Sequence, residues 1–582
     1  MLMKKENRLV KLVLCTYLFL IFSTLTQSQT TNLGSTYIES WKQFYPSKAL
    51  TQGMQTAIFD YEDLTIDNIE KWIAINKKVK VELKRRNSIY TKENPIDARL
   101  LNLQIQEEIN KWEVKKIHEH SLSLYADLIT KAVDEVLKAN YLTPKEKSRL
   151  ICQRLTAVQK LCRAAKRHLK SEETNDLEIG IKKLKTVLPF YVQHLPKQVS
   201  HLPKAYHCLE FDDVGTTAKS IQSLIDYMET YYLPKPIVAN PILGRVEYAR
   251  RLALYTDSDL TPKQLEAMAL EEIETVRELI ANVSLDYLKQ TYPNQSFPNK
   301  GDAIKAAFVD MEKDAPKDGA DYLQFWLELK AAAIKFIAEN DIATLPEFQT
   351  LRIIPAPESA GPAARIGWVD SAPPFASNPV TTLYLPSIPD TLPAQEQKDF
   401  WASFNKPFNR MIVIHELFPG HYMQIKISRE TPHPVRLLFP YKPYFEGWAT
   451  FTERVLLDAG WEKERPLTFL AHLRKRIENA NRAYTSIQVH CNNWTAEQVM
   501  AFSTEKSLLA PQFAKSLWGR IMRSPLQLTS YFQGGQQFTD LLAAEKSRLG
   551  DRFVLKDFMD TIMRIGPIPI DEFPAIFETS KP

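Results

Sequence analysis

The sequence predicts a mostly α-helical protein of two lobes with a small β element near the middle of the chain. Apolar residues recur at helical spacing from residue 29 to about 235 and again beyond 244. Between these stretches Pro234, Pro236 and Pro241 disfavour continued helix, which places the lobe boundary near residue 235. Residues 351 to 390 differ again, being dense in proline, glycine and small side chains with short β-type runs.

The first 28 residues read as a signal peptide. Lys4, Lys5, Arg8 and Lys11 precede the largely apolar run Leu12 to Leu25, and Thr26-Gln27-Ser28 offers small residues for cleavage. That run is shorter than the roughly 20 residues a comfortable membrane span needs, so an uncleaved anchor is the alternative. Cys15 lies inside the run with no small residue and cysteine at its end, so a lipoprotein signal is not expected. Export, to the periplasm or beyond, with no stable membrane span after cleavage, is the expected address. Losing four basic residues and Glu6 lowers the formal charge from +5 to +2, which gives no case for nucleic acid. Apolar content of 44% and charged content of 25% are ordinary for a globular chain. Cys152, Cys162, Cys208 and Cys491 are too scattered for a disulfide scaffold, and the first two, about 15 Å apart on one helix, cannot pair with each other. Buried thiols, or at most one bridge permitted by export, are expected.

In the N-terminal lobe, 29–235, the clearest helix runs from Pro144 to Lys170. Thr143 caps it, and Leu150, Ile151, Leu155, Val158 and Leu161 share one stripe. No catalytic motif falls in this lobe. In the second lobe, 236–582, Thr261 caps a helix whose first turn holds Pro262. Leu265, Met268, Val276 and Leu279, with Ala269, Ile273 and Ile280, form its apolar stripe, interrupted by Glu272. Short strands are expected at Leu351–Ile354 and Thr381–Leu385.

The chemistry concentrates in His415-Glu416-Leu417-Phe418-Pro419-Gly420-His421, which follows the apolar run Met411 to Ile414. Two imidazoles and a carboxylate suit a zinc ion, with the carboxylate placed to take a proton from bound water. The usual spacing sets the histidines four apart, whereas here they are six apart, about 120° out of phase on a regular helix. A local widening must absorb the excess. Pro419 lacks an N–H and Gly420 tolerates positive φ, so the pair can supply it. A third ligand is available 25 residues after His421, where Glu446 opens a second helical segment. Glu453, seven residues further, shares its face and is either an acceptor orienting a ligand histidine or an exposed helix carboxylate.

HELFPGHYMQ followed by YFEGWATFTE resembles the domain-of-unknown-function 885 family (DUF885), gluzincin-like proteins whose signature reads HExxPGHxxQ and then EGWAxYxE. The second stretch is also similar to the NEGFAxYxE of thermolysin-like aminopeptidases. The resemblance implies a helical gluzincin, or zincin-like, peptidase fold with one Zn²⁺ held by His415, His421 and Glu446, Glu416 as general base, and a peptide as substrate. In thermolysin-like folds an edge strand beside the zinc helix pairs with extended substrate, which nominates Thr382, Leu383 and Tyr384, an ordinary hairpin being the alternative. Arg482 to Thr495 keeps the family's histidine as His490, although Ser486 stands where an Asp is usual. His490 is either an oxyanion donor or a satisfied structural histidine. Ser524 to Gly534 resembles a Pro-x-Gln-x-x-x-Tyr-x-x-Gly segment, making Tyr531 the first choice to polarise the scissile carbonyl. Near the end, Met559 replaces a family histidine. The expected activity is zinc-dependent hydrolysis of oligopeptides. A zinc hydrolase of another amide or ester, and a silent peptide-binding protein, are the alternatives.

Overall fold

The structure is a computed structural model that describes residues 33–54, 61–86, 94–139, 142–170, 174–203, 213–234, 242–347 and 350–579. The signal peptide, Cys208 and most of the proline-rich boundary segment lie outside the described residues. The chain is mostly helical with one small sheet, as its patterning predicts.

Local signals set the helix starts where expected. The hydroxyl of Thr143 accepts from the N–H of Glu146, whose carboxylate accepts in return from Thr143 N–H, opening helix Pro144–His168. Its predicted stripe, Leu150, Ile151, Leu155, Val158 and Leu161, is buried. The same reciprocal pair forms between Thr261 and Gln264 at the head of helix Pro262–Thr291. There the buried stripe is narrower than predicted. Leu265, Ala269, Ile273, Val276 and Ile280 face inward, whereas Met268 and Leu279 are exposed at its rim and Glu272 accepts from Arg476.

The N-terminal helices pack directly onto the chain that carries the motif. Tyr37 and Trp41 meet Phe439 edge-on, with ring centroids 5.6 and 5.8 Å apart. Asp97 accepts from His433 and Arg436, and Arg99 binds Asp257, Asp571 and Glu572. One hydrophobic core accordingly runs from Leu33 through Met228 into residues 322–573. A second joins residues 248–307 to helix Pro466–Asn492.

Three strands, β1 (Leu351–Pro355), β2 (Trp368–Asp370) and β3 (Thr381–Leu385), form the sheet in the order β1-β3-β2. β1 is parallel to β3, pairing Leu351 with Thr381, and β2 is antiparallel to it, pairing Trp368 with Tyr384. The expectation of an edge strand at Thr382, Leu383 and Tyr384 is therefore overturned. β3 is central, so both sides of its backbone are paired within the sheet, Leu383 is buried in the core, and Tyr384 stacks on Trp368. Cys162 and Cys491 are free thiols, the former pushed up to about 12 by burial. Cys152 is disulfide-bonded.

Candidate metal centre

Helix Lys406–Glu416 delivers the first histidine. Asn405 caps it by accepting from Phe408 N–H, and Met411, Val413 and Ile414 are fully buried, which fixes its rotation and turns His415 inward. The six-residue spacing is absorbed by a break rather than by a bulge in a continuous helix. The helix stops at Glu416, Leu417 to Gly420 bend through a cis Phe418–Pro419 bond, and a new helix, His421–Ser428, starts on the second histidine. Widened hydrogen bonds bridge the break. Phe418 N–H donates five residues back to Val413 O at 3.2 Å, and Gly420 N–H six residues back to Ile414 O at 3.0 Å. Gly420 has φ −66°, so positive φ is not its role. A Cβ there would stand 1.9 Å from His415 O, and only glycine allows that approach.

The second helix, Lys442–Asp458, is seated on the first by Trp448, whose indole N–H donates to Pro419 O at 3.0 Å. Its other side meets helix Ser530–Leu549 backbone to backbone, since a Cβ on Gly447 would lie 2.5 Å from the carbonyl carbon of Gly534. These contacts bring Glu446 Oε2 to 3.4 Å from His421 Nε2 and 3.7 Å from His415 Nε2. The three candidate ligand atoms all lie within 4.8 Å of one another. Two atoms each about 2.0–2.1 Å from a tetrahedral zinc stand roughly 3.3–3.4 Å apart, so the spacing fits one such ion.

Glu453 is completely buried, which selects the orienting role. Its Oε1 meets His415 Nδ1 at 2.7 Å and its Oε2 meets His472 Nδ1 at 3.0 Å. An ionised carboxylate only accepts, so both imidazoles donate through Nδ1, which leaves Nε2 as the His415 atom that faces Glu446 and His421. Electrostatics agree. Burial opposes charge on Glu453, yet the two histidines hold its carboxyl down at about 2. Burial also opposes a charged His415, yet Glu446 and Glu453 raise it to about 10. One buried and one half-buried carboxylate around the imidazoles make a site that calls for positive charge.

Tyr531, at the start of helix Ser530–Leu549, lies over this cluster with its ring 6.5 Å from that of His415 and nearly parallel to it. Burial, and then the charge of Glu446, push its hydroxyl up to about 12, so it stays protonated. Gln527 Nε2 donates to both Glu446 Oε1 and Tyr531 Oη, at 3.2 and 3.3 Å. Glu416 is half-buried beside His415, and its carboxylate has no hydrogen-bond partner among the described residues. His490 is not brought to the site. It shares helix Pro466–Asn492 with His472 but lies 18 residues, about 27 Å, further along. Its Nδ1 accepts from Leu243 N–H and its Nε2 donates to Ile521 O, each at 3.3 Å, so it is a satisfied structural histidine.

His472 and Gln527 are the members that the sequence reading misses. Gln527 had a signal, standing one helical turn before Tyr531 in the same motif; His472 had none, because only tertiary packing brings it to Glu453.

Residues 46–575 match a family described as bacterial protein of unknown function, DUF885. A candidate lipoprotein of unknown function from Shewanella oneidensis has a similar solved structure, with TM-score 0.82 and 21% identity, covering 94% of this chain and 99% of that one. A candidate lipoprotein from Colwellia psychrerythraea is similar at TM-score 0.68 and 18% identity, covering 93% and 97%. No curated protein matches the chain.

Proposed function

The chain belongs to the DUF885 family, and from that premise and the site's geometry we propose that it is an exported zinc-dependent peptidase of gluzincin type. The observation that carries the reading is the convergence of His415, His421 and Glu446 within 4.8 Å, beside a Glu416 whose carboxylate makes no hydrogen bond among the described residues. A zinc ion held there would supply a water of lowered pKa and a Lewis acid for the substrate carbonyl. Glu416 takes the proton of the attacking water and returns it to the leaving amine. Tyr531, held by Gln527, stays protonated and can turn its hydroxyl from Glu446 to the carbonyl oxygen, on which negative charge develops. Glu453 and His472 hold the His415 ring in one tautomer and one orientation. Export is supported by the basic and apolar N-terminal segment, by the disulfide at Cys152, and by the neighbours being described as candidate lipoproteins. No helix among the described residues is long and apolar enough to cross a membrane.

The test is to strip the mature protein with a chelator, restore zinc alone, and follow a mixed peptide pool by mass spectrometry. Cleavage should vanish and return with the metal; cleavage that survives complete stripping rejects the proposal.

A further inference from the structure

Lys475 and Arg482 are seven residues apart on helix Pro466–Asn492, two turns along one face, with Glu478 between them. Both address the ring of Tyr531. Lys475 Nζ stands 5.9 Å from its centroid and Arg482 Cζ 4.9 Å. Their side chains are only 12% and 9% exposed. Glu478 forms a close ion pair with Arg482 and lies 3.8 Å from Lys475, beyond a hydrogen bond. Arg482 also donates to Asn479 Oδ1 at 3.3 Å. One carboxylate thus serves two nearly buried cations.

Among the described residues, the other carboxylates nearby bond or pair with other groups and reach Lys475 only through space. Glu446 and Glu453 face His415, His421 and His472, while Glu312 and Glu272 face Arg474 and Arg476. A cation left without a full partner in such a setting is costly, so the patch is built for one more negative charge. It adjoins the ring of Tyr531, whose hydroxyl is assigned above to the scissile carbonyl.

We propose that Lys475 and Arg482 form an anion subsite that takes a carboxylate of the substrate close to the bond being cut. The inference rests on the peptidase reading for the direction of the chain, but the subsite's affinity for a carboxylate can be read without turnover. An extended peptide advances about 3.5 Å per residue, so a carboxylate within two or three residues of the scissile carbonyl reaches the pair. A free C-terminus and an acidic side chain both offer that group, and ammonium and guanidinium bind it by charge-assisted hydrogen bonds.

The experiment uses three tripeptides, Ala-Phe-Ala as free acid, Ala-Phe-Ala amide, and Ala-Phe-Asp amide. Binding to the zinc-loaded Glu416→Gln protein is measured by calorimetry, and cleavage is measured with the wild type. At least one carboxylate-bearing peptide should bind about tenfold more tightly than Ala-Phe-Ala amide, the worth of one charge-assisted bond. Preference for the free acid identifies the C-terminus as the source, and preference for the Asp amide identifies a side chain. Lys475→Gln in the same background should narrow the ratio to about threefold or less, and Lys475→Arg should restore it. Equal binding of all three, or none, overturns the subsite whatever happens to cleavage. Selective binding without cleavage of any peptide leaves the subsite standing and sinks the peptidase reading instead.

Discussion

Glu453 accepts from His415 through one oxygen and from His472 through the other. Glu453→Gln cannot accept twice in this way, so zinc affinity should fall by about 10- to 100-fold, as measured by competition with a chromophoric chelator. An unchanged affinity would mean that His415 is oriented by packing alone. Glu416→Gln is the complementary case. The amide keeps the shape but cannot take a proton, so kcat should drop by about 10²- to 10⁴-fold with zinc still bound one to one. The sequence made the grouping of His415, His421 and Glu446 beside Glu416 legible because imidazole and carboxylate chemistry is local to two short motifs. His472 stayed hidden because its partner, 19 residues earlier, meets it only through the packing of two helices. His490 misled for the converse reason: a family resemblance does not say which backbone groups already occupy the ring.

Among elements, the motif helix and the helix of Glu446 are fixed by places where backbone touches backbone. Gly420→Ala would set a Cβ 1.9 Å from His415 O, and Gly447→Ala would set one 2.5 Å from Gly534. Neither neighbour is a flexible side-chain end, so each change should cost about 1–3 kcal/mol in denaturant unfolding. Both variants should lose zinc affinity as well, since the strain falls next to a candidate ligand, His421 in the first and Glu446 in the second. A Gly420→Ala protein of wild-type stability and metal content would contradict the geometry. Thr143 and Thr261 announced their helices because capping depends on residues three apart. Strand order was not legible, since nothing in Thr381–Leu385 records that β1 and β2 flank it on both sides.

Over the whole molecule, the N-terminal helices share a core with the segments that hold the candidate site, so pH effects far from that site bear on the fold that carries it. Glu135 in helix Leu122–Lys138 is raised to about 7, chiefly by burial, with Arg154 opposing and Glu62 adding to the shift. Because this folded value exceeds the ordinary 4.5, its contribution is intact below about 4.5 and is lost as pH rises towards about 7. Glu135→Gln should therefore stabilise the protein at pH 8, by on the order of 3 kcal/mol at most, and flatten that part of the pH profile in urea titrations. A profile unchanged by the substitution would show that Glu135 is not charged at a cost. Helical class and the existence of a small sheet were legible from periodicity and proline placement. The long-range pairing of Asp97 with His433 and Arg436, which ties the N-terminal helices to the motif segment, was not.

The most direct test of the central claim pairs zinc content with cleavage in a single preparation of the mature protein and of Glu416→Gln, digesting the same peptide pool. The account predicts one zinc per chain in both and product masses from the wild type alone. Absence of zinc from the wild type, or equal products from both proteins, would contradict it.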